Sequence, residues 1–247
     1  IALNRHSITA HLMLHYPLQT FRNEKGQITE FYKLGTKEKP TTQQTVFHIQ
    51  IDRMTDKTAI ENLVAELNSV MQDVSLAVTD WRPTLHKLES VIAELPNNAG
   101  KASPEQLQQA TEFLNWLLKD NFTLLGYRSY RIVPIQGDYK IEGVADSALG
   151  LMRRSTSRDL MLNDLPDVAR KQALSSDLLI LTKTNNKSRV HRPAYIDYIG
   201  IKRFDENGQV VGEDRFIGLY SSSLYNNSAA DIPLLKNKLA AVMARSG

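Results

Sequence analysis

The spacing of apolar residues changes twice along this chain, and no other sequence feature constrains its fold as strongly. Between Ile8 and Tyr16 apolar and polar residues alternate, which predicts a half-buried β-strand. Between Ile60 and Val78 apolar residues recur at steps of three and four, which is typical of an amphipathic helix. From Phe122 onward the alternation returns. We therefore expect strands, then long helices, then a mainly antiparallel sheet.

Residues 1–100 combine predicted strands with long helical stretches. The strands are Ile8–Tyr16, Gln27–Lys33 and Val46–Asp52. We expect the third strand to bury Phe47, and Asp56 to cap the helix that follows. Pro83 should interrupt this helix, because proline lacks a backbone donor and crowds the preceding turn. The apolar stripe continues as far as Leu95.

The helical pattern ends at Pro96–Gly100, where the sequence predicts a domain boundary. Ser103 then begins a helix, since its side chain can cap the first turn and Gln106 can complete a capping box. Pro104 fits the first helical position between them. The predicted divisions are residues 1–100, residues 101–230 and a C-terminal helical segment in residues 231–247.

The second half of the chain is mostly strand. Its predicted strands are Phe122–Val133, Tyr139–Val144, Leu178–Lys183, Tyr195–Phe204 and Gln209–Tyr220. The last two form a hairpin through Asp205–Gly208, and similar turn residues at Asn23–Gly26 join the first two strands of the chain. Leu149–Leu174 is a looser stretch with short helices. Asp231 should cap a final amphipathic helix at Ile232–Ala244.

Composition excludes several classes of protein. The 247 residues are 42% hydrophobic, enough for one large core or two modest ones, and neither Gly nor Pro dominates any tract. A net charge of +3 does not by itself favour a nucleic-acid partner. The absence of cysteine removes thiolate nucleophiles and favours a reducing compartment. With no spanning segment or secretion signal, and a start at Ile1, the chain has the features of an excised cytoplasmic segment.

Two long stretches are unusual enough in composition to indicate a family. Phe113–Tyr130 contains Asn-Trp-Leu-Leu-Lys-Asp-Asn-Phe-Thr-Leu-Leu-Gly-Tyr. Arg189–Phe204 reads Arg-Val-His-Arg-Pro-Ala-Tyr-Ile-Asp-Tyr-Ile-Gly-Ile-Lys-Arg-Phe and continues into Gly212–Tyr220. Phe47–Arg53 and the helix end at Asp80-Trp81 fit the same pattern. Over most of its length the chain resembles the long bacterial NAD-specific glutamate dehydrogenases.

The resemblance implies a place within a larger, homo-oligomeric enzyme. Such enzymes carry ACT-like and PAS-like modules ahead of the domain that oxidises L-glutamate to 2-oxoglutarate and ammonia with NAD. Residues 8–95 resemble part of an ACT-like α/β module, with three strands and no leading strand–helix pair, and residues 103–225 resemble a PAS-like antiparallel sheet flanked by helices. The expected fold class is α+β. The expected function is a non-catalytic regulatory or assembly region, with the enzyme's other domains and subunits as partners and an amino acid as a candidate effector.

No catalytic pattern accompanies this resemblance. The sequence has no Gly-x-Gly-x-x-Gly, so we expect no cofactor in this segment and NAD only in the catalytic domain of the larger enzyme. His11, His15 and His48 could meet on neighbouring strands as a metal site, although a solvated sheet surface is the simpler interpretation. Ser188, His191 and Asp197 could be combined as a serine–histidine–aspartate arrangement, but nothing resembling a nucleophile elbow surrounds them. We therefore predict neither catalytic nor metal-ligating residues.

The most distinctive polar cluster lies just before a predicted strand. It comprises Lys183, Lys187, Arg189, His191 and Arg192. Such side chains could hold a carboxylate or phosphate, or could contact acidic residues of another domain, which is the interpretation we favour. Pro193 favours an extended backbone before it, so we expect His191 and Arg192 to project to opposite sides. Nearby tyrosines, among them Tyr195 and Tyr198, could line a pocket or simply pack in the sheet.

Two further functions stay open at this stage. One is a stand-alone small-molecule sensor or binding module of PAS-like type. The other is nucleic-acid binding through the basic cluster, which lacks the interleaved aromatic residues that stack on bases. We expect no nucleic-acid or membrane partner.

Overall fold

The computed structural model describes residues 1–36, 42–155, 159–222, 224, 228–236 and 242–243. The helices are α1 (Ala2–Arg5), α2 (Lys57–Thr79), α3 (Trp81–Asn98), α4 (Pro104–Trp116) and α5 (Asp167–Leu174). The strands are β1 (Ala10–Arg22), β2 (Ile28–Lys33), β3 (Thr42–Ile51), β4 (Phe122–Ile135), β5 (Asp138–Gly143), β6 (Leu149–Gly150), β7 (Leu160–Met161), β8 (Leu179–Lys187), β9 (Tyr195–Phe204) and β10 (Val210–Tyr220). Short 3₁₀ turns follow β6 and β7, at Leu151–Arg154 and Leu162–Asp164.

Two compact units make up the chain, residues 1–69 and residues 70–247, and the division falls within α2. Every sheet pairing is antiparallel, and helices accompany both sheets. The predicted α+β class is therefore confirmed. No helix among the described residues is long and apolar enough to cross a membrane.

The first unit contains a three-stranded sheet in the order β2-β1-β3. Its strands match the three predicted ones, although β1 is longer than expected. The expected burial is wrong: Leu14 and Tyr16 on one face and Phe47 on the other are all exposed. Alternation fixes which residues share a face of the strand. Burial also requires another element to pack on that face, and the alternating pattern does not indicate which element does so.

The helix boundaries follow the predicted signals. The Asp56 carboxylate accepts a 2.9 Å hydrogen bond from the backbone N–H of Thr58 and caps α2 as expected. Pro83 lies in the first turn of α3, where its missing N–H costs least, and the break between α2 and α3 falls at Asp80. At α4 the capping box of Ser103 and Gln106 is complete.

The predicted boundary at Pro96–Gly100 is not where the two units divide. Helix α3 continues through Pro96 to Asn98, and its Leu88 and Leu95 are buried in the same core as α4 and the larger sheet. A Cβ on Gly100 would lie 2.6 Å from Cβ of Phe204, so the predicted linker is packed against β9. The apolar positions of α3 therefore belong to the core of the second unit.

The larger sheet has seven strands, in the order β7-β5-β4-β10-β9-β8 with β6 paired to β4. Its core joins α3 and α4 to the sheet through residues such as Phe113, Leu114, Tyr127, Ile199 and Phe216. This arrangement agrees with the predicted antiparallel sheet flanked by helices.

The two hairpins with similar turn sequences fold alike. The side-chain Oδ1 atoms of Asn23 and Asp205 each accept hydrogen bonds from the backbone N–H groups two and four residues later, at 2.7–3.0 Å. Gly26 and Gly208 adopt φ of +76° and +82°, which an L side chain rarely tolerates. Shared turn chemistry, as predicted, accounts for the similar turn sequences of the two hairpins. The predicted helix at Ile232–Ala244 lies largely outside the described residues.

Candidate functional site

A buried carboxylate of the second unit, Asp73, lies near the C-terminal end of α2. Asp73 is buried, and its two carboxylate oxygens accept hydrogen bonds of 2.6 Å from Arg154 and Arg189. Arg154 follows β6, and Arg189 follows β8, so one carboxylate ties two distant connections to the helix. Charge-assisted bonds of this kind are the stronger hydrogen bonds in proteins, and they compensate the cost of burying Asp73.

A second buried carboxylate, Asp80, follows Asp73 after seven residues, about two helical turns. Asp80 is buried at the break between α2 and α3, where it accepts hydrogen bonds from Arg153 and a 2.7 Å bond from the backbone N–H of Gly150. The bond from Arg153, supported by that from Gly150, lowers the pKa of Asp80 against the opposing effect of burial. The polar pairs thus hold the α2–α3 junction against β6 and the turn after it.

The segment after β8 is a tightly closed turn. Ser188 is buried; its N–H donates to the carbonyl of Ala194 at 2.8 Å, and its hydroxyl donates to the carbonyl of Val190 at 2.7 Å. The expected extended backbone before Pro193 is wrong, because His191 has φ of +63° and the N–H of Arg192 bonds back to Val190. Proline restricts mainly the residue directly before it. The hydrogen bonds made by Ser188 therefore determine the backbone conformation of the other residues in this turn.

The five predicted basic residues do not converge on one pocket. Lys183 pairs with the buried Asp197, Arg189 with Asp73, and the guanidinium of Arg192 donates to the carbonyl of Tyr220. Lys187 lies over the ring of Tyr195, 5.3 Å from its centroid, and His191 is exposed. Three of the five, Lys183, Arg189 and Arg192, are therefore bonded within their own fold, and Lys183, Lys187 and His191 are the exposed members of the cluster.

An apolar cavity of about 330 Å³ lies beside this turn. It is lined by Val74, Ala77, Val78, Trp81, Thr123, Leu124, Leu125, Val190 and His191. The helical side of the cavity is open, since Val78 and Trp81 are 71% and 48% exposed. Near its C-terminal end, helix α2 therefore directs Asp73 inward to the arginines and leaves Val74 and Val78 at the surface, the reverse of the usual amphipathic arrangement.

The larger sheet carries a polar network across β4, β9 and β10. Glu213 is buried, and its carboxylate accepts hydrogen bonds from the Tyr198 hydroxyl and from Arg215 at 3.0 and 3.1 Å. A Cβ on Gly200 would lie 2.1 Å from Oε1 of Glu213. The absence of a side chain at Gly200 therefore leaves the space that this carboxylate occupies. The guanidinium of Arg215 also stacks on Tyr130, 3.9 Å from the ring centroid. Burial, and then the charge of Glu213, raise the pKa of Tyr198.

Lys202 is the most deeply buried cation of the described residues. It is 1% exposed, and its ammonium donates to the carbonyls of Gln172 and Ser175, the latter at 2.8 Å, at the C-terminal end of α5. Cations are stabilised at helix C-termini, where carbonyl groups lack helical partners. Burial lowers the pKa of Lys202. This contact fixes α5 to β9, and we assign it a structural role.

The histidine-rich strands do not assemble a metal site. His48 is directly opposite Leu14, and His15 is opposite Phe47, so His15 and His48 lie on opposite faces of the sheet. His11 lies at a register shift and bonds to Asp52 at 2.8 Å. Among the described residues no group of three or more histidine, aspartate and glutamate side chains is placed to hold a metal ion.

Sequence reasoning missed the acidic residues Asp73, in α2, and Asp80, at the break that follows it. Their separation of seven residues would place them on one face of a continuous helix, and this spacing was visible in the sequence. Their arginine partners are 73 to 116 residues away, and no local pattern indicates those pairings.

Comparison with known proteins agrees with this description. Residues 1–67 match the glutamate dehydrogenase ACT1 domain family. The chain is 32% identical to the NAD-specific glutamate dehydrogenase of Halomonas elongata and 33% identical to that of Pseudomonas aeruginosa, matching over 100% and 99% of its own length. The corresponding enzyme of Mycobacterium tuberculosis is 25% identical over 99% of the chain.

The fold and these matches define an α+β chain in which residues 1–67 match the ACT1 domain model and a larger antiparallel sheet follows. Along almost its whole length the chain is similar to a region of NAD-specific glutamate dehydrogenases, which confirms the resemblance noted in its sequence. It spans 16%, 15% and 14% of the lengths of the three relatives.

Proposed function

We propose that this chain is a non-catalytic regulatory or assembly region in the N-terminal part of an NAD-dependent glutamate dehydrogenase. The observation that carries the proposal is that the whole chain matches about one-sixth of the length of such an enzyme, and that residues 1–67 match an ACT1 domain. The larger enzyme would oxidise L-glutamate to 2-oxoglutarate and ammonia with NAD bound in its catalytic domain.

The sequence is consistent with a role outside catalysis. It contains no glycine-rich dinucleotide loop, and its largest polar networks are closed ion pairs whose donors and acceptors are mutually satisfied. Catalytic groups need unoccupied hydrogen-bonding capacity that faces a substrate. Glu213 and Asp73 use both carboxylate oxygens within the fold, so they serve architecture.

The basic segment from Lys183 to Arg192 would serve as an interdomain docking or anion-binding surface. Its anchored members, Lys183, Arg189 and Arg192, hold the turn in place, while Lys187 and His191 face outward and are the residues that could contact another domain. The PAS-like character of the larger sheet is part of this proposal, since sheets of this kind are used both for docking and for ligand binding.

The experiment compares the isolated chain with the full-length enzyme. Purified chain mixed with glutamate and NAD should produce no NADH above buffer. In the full-length enzyme, Lys187→Ala combined with His191→Ala should alter subunit assembly or effector response while leaving the melting temperature of the isolated chain unchanged. NADH production proportional to the concentration of isolated chain would refute the non-catalytic assignment. A full-length variant that assembles and responds normally would refute docking through this segment.

One observation favours a sensor function as a second candidate. The apolar cavity beside Val190 has a volume suited to a small ligand, and its polar edge includes Thr123 and His191. A thermal-shift panel of amino acids and nucleotides tests this, because a ligand at ~100 times its dissociation constant stabilises by about 2.7 kcal/mol. Stabilisation that is lost in Ala77→Trp, which fills the cavity, would support it; a uniformly negative panel would exclude the compounds tested.

A further inference from the structure

Two arginines are directly opposite each other on one face of the larger sheet. Arg128 of β4 pairs in register with Arg215 of β10, so both side chains project from the same side of the two strands. The Cβ atoms of directly opposed residues are about 4.5–5.5 Å apart, and like charges at such positions are destabilising. This arrangement therefore needs negative charge close to both guanidinium groups.

The carboxylate of Glu213 compensates Arg215 alone. Arg215 donates two hydrogen bonds to it, at 3.0 and 3.1 Å, and the Tyr198 hydroxyl donates to its other oxygen. This carboxylate occupies the space left by Gly200, which is opposite Arg215 on β9. Arg128 is opposite Arg215 on β4, away from that space. Among the described residues, no carboxylate forms an ion pair with Arg128.

Arg128 is buried with part of its hydrogen-bonding capacity unused. The residue is 7% exposed, and its Nη2 donates at 2.8 Å to the carbonyl of Met152, in the turn after β6. Its Nη1 is buried and has no hydrogen-bond partner in the part of the chain that the structure describes. A neutral carbonyl does not compensate a full positive charge, and a buried charge without a counter-ion is costly.

We propose that Arg128 and Arg215 bind the carboxylate of a small monocarboxylic acid. A carboxylate accepts two parallel hydrogen bonds from a guanidinium, whose planar fork matches its geometry. The two arginines and Glu213 together leave one positive charge in excess, which one carboxylate neutralises and a phosphate dianion would reverse. Lys202, the next cation on this face, has its own partners at the end of α5.

The surroundings favour a free ligand over an acidic side chain of another protein surface. Such a surface would have to enter the sheet to reach a guanidinium that is 7% exposed, whereas a small acid needs room only for itself. The side chain of Arg215 is 21% exposed, so the cluster reaches solvent beside Arg128. Arg215 also stacks on the buried ring of Tyr130, 3.9 Å from its centroid, which holds the guanidinium plane in one orientation. The inference does not depend on the proposed enzyme.

Thermal unfolding of the 247-residue chain tests the proposal, with acetate replacing chloride at constant ionic strength. Acetate at about ten times its dissociation constant should raise the melting temperature by about 3–6 °C. Arg128→Met should abolish this response. Arg131→Met is the matched control and should respond as the unsubstituted chain does, because Arg131 lies on the same strand with its side chain 63% exposed and pairs with Glu142 at the surface.

The melting temperature of Arg128→Met in chloride separates a binding role from a structural one. Removing a buried charge that lacks a counter-ion should leave the chain as stable as before or more stable. A lower melting temperature would make Arg128 a structural member and would overturn the proposal.

Inorganic phosphate tests the class of ligand and should stabilise the chain less than acetate does. Equal stabilisation by phosphate would overturn the assignment to a monocarboxylic acid. An unsubstituted chain without an acetate response, or an acetate response that persists in Arg128→Met, would overturn the site itself.

Discussion

The carboxylate of Asp73 accepts a 2.6 Å hydrogen bond from the guanidinium of Arg189, 116 residues later in the chain. The same carboxylate accepts a bond of equal length from Arg154. A buried carboxylate is costly unless it is paired, so Asp73 and its two arginines must assemble together. The residue that the sequence presented as part of a docking surface is thus also a structural member of the second unit.

Replacing Arg189 with alanine should destabilise the chain. Asp73 would keep only Arg154, and losing a hydrogen bond to a charged, buried group costs about 1–3 kcal/mol. For a chain of this size each kcal/mol lowers the melting temperature by about 2–4 °C. Differential scanning calorimetry of Arg189→Ala would measure the change.

Lys187→Ala is the matched control for this variant. Its ammonium lies over the exposed ring of Tyr195 and should contribute at most about 1 kcal/mol. Equal melting temperatures for the two variants would contradict the structural role assigned to Arg189.

Asp80 should make stability depend on pH in the acid range. Its hydrogen bonds, chiefly from Arg153, lower its pKa in the folded state. The unfolded chain then binds the proton more readily, so the stabilisation is fully present above the ordinary aspartate pKa of about 3.9 and is lost as pH falls through the folded pKa. Asp80→Asn should therefore be less stable than the unsubstituted chain at neutral pH, with a difference that shrinks below about pH 4.

Urea unfolding at several pH values would measure this difference. Asp167→Asn serves as the control, because Asp167 is exposed on α5 and makes only a surface ion pair with Arg170. A gap between Asp80→Asn and the unsubstituted chain that stays constant down to acid pH would show that the ion pair with Arg153 is not its source.

Replacing Lys202 with methionine should release the end of α5. Methionine keeps the apolar stem but removes the ammonium that donates to the carbonyls of Gln172 and Ser175, at a cost of about 1–3 kcal/mol. Hydrogen exchange should accelerate in α5 more than in β9. Lys171→Met, at an exposed position of the same helix, should change neither quantity. Unaltered exchange in Lys202→Met would refute the anchoring role.

The extent of the second folding unit can be tested with fragments. A fragment of residues 70–247 retains α3, whose Leu88, Val91 and Leu95 are buried in the core, and it should unfold cooperatively. A fragment of residues 103–247 lacks those side chains and should be markedly less stable, since each lost large apolar residue costs about 2–5 kcal/mol. Limited proteolysis of the whole chain should spare Pro96–Gly100. Equal stability of the two fragments would restore the boundary predicted from the sequence.

Local signals determined most of the secondary structure. Asp56 and Ser103 cap the helices that they were expected to cap, and Asn23 and Asp205 build the same turn from side-chain bonds to the following backbone. These interactions join residues within four positions of one another, so the sequence itself contains both partners. The strand limits at Tyr195–Phe204 agree with the alternation for the same reason.

The sequence by itself determined which residues share a face of a helix or strand, and its long resemblance indicated the enzymes to which the chain is similar. Only the tertiary structure decided which face is covered. Phe47 is exposed, and the segment from α2 to α3 buries Asp73 and Asp80 while Val78 faces solvent, because arginines brought from distant connections compensate the buried carboxylates. Burial depends on what a face meets in three dimensions, and pairings across more than seventy residues leave no periodic trace in the sequence.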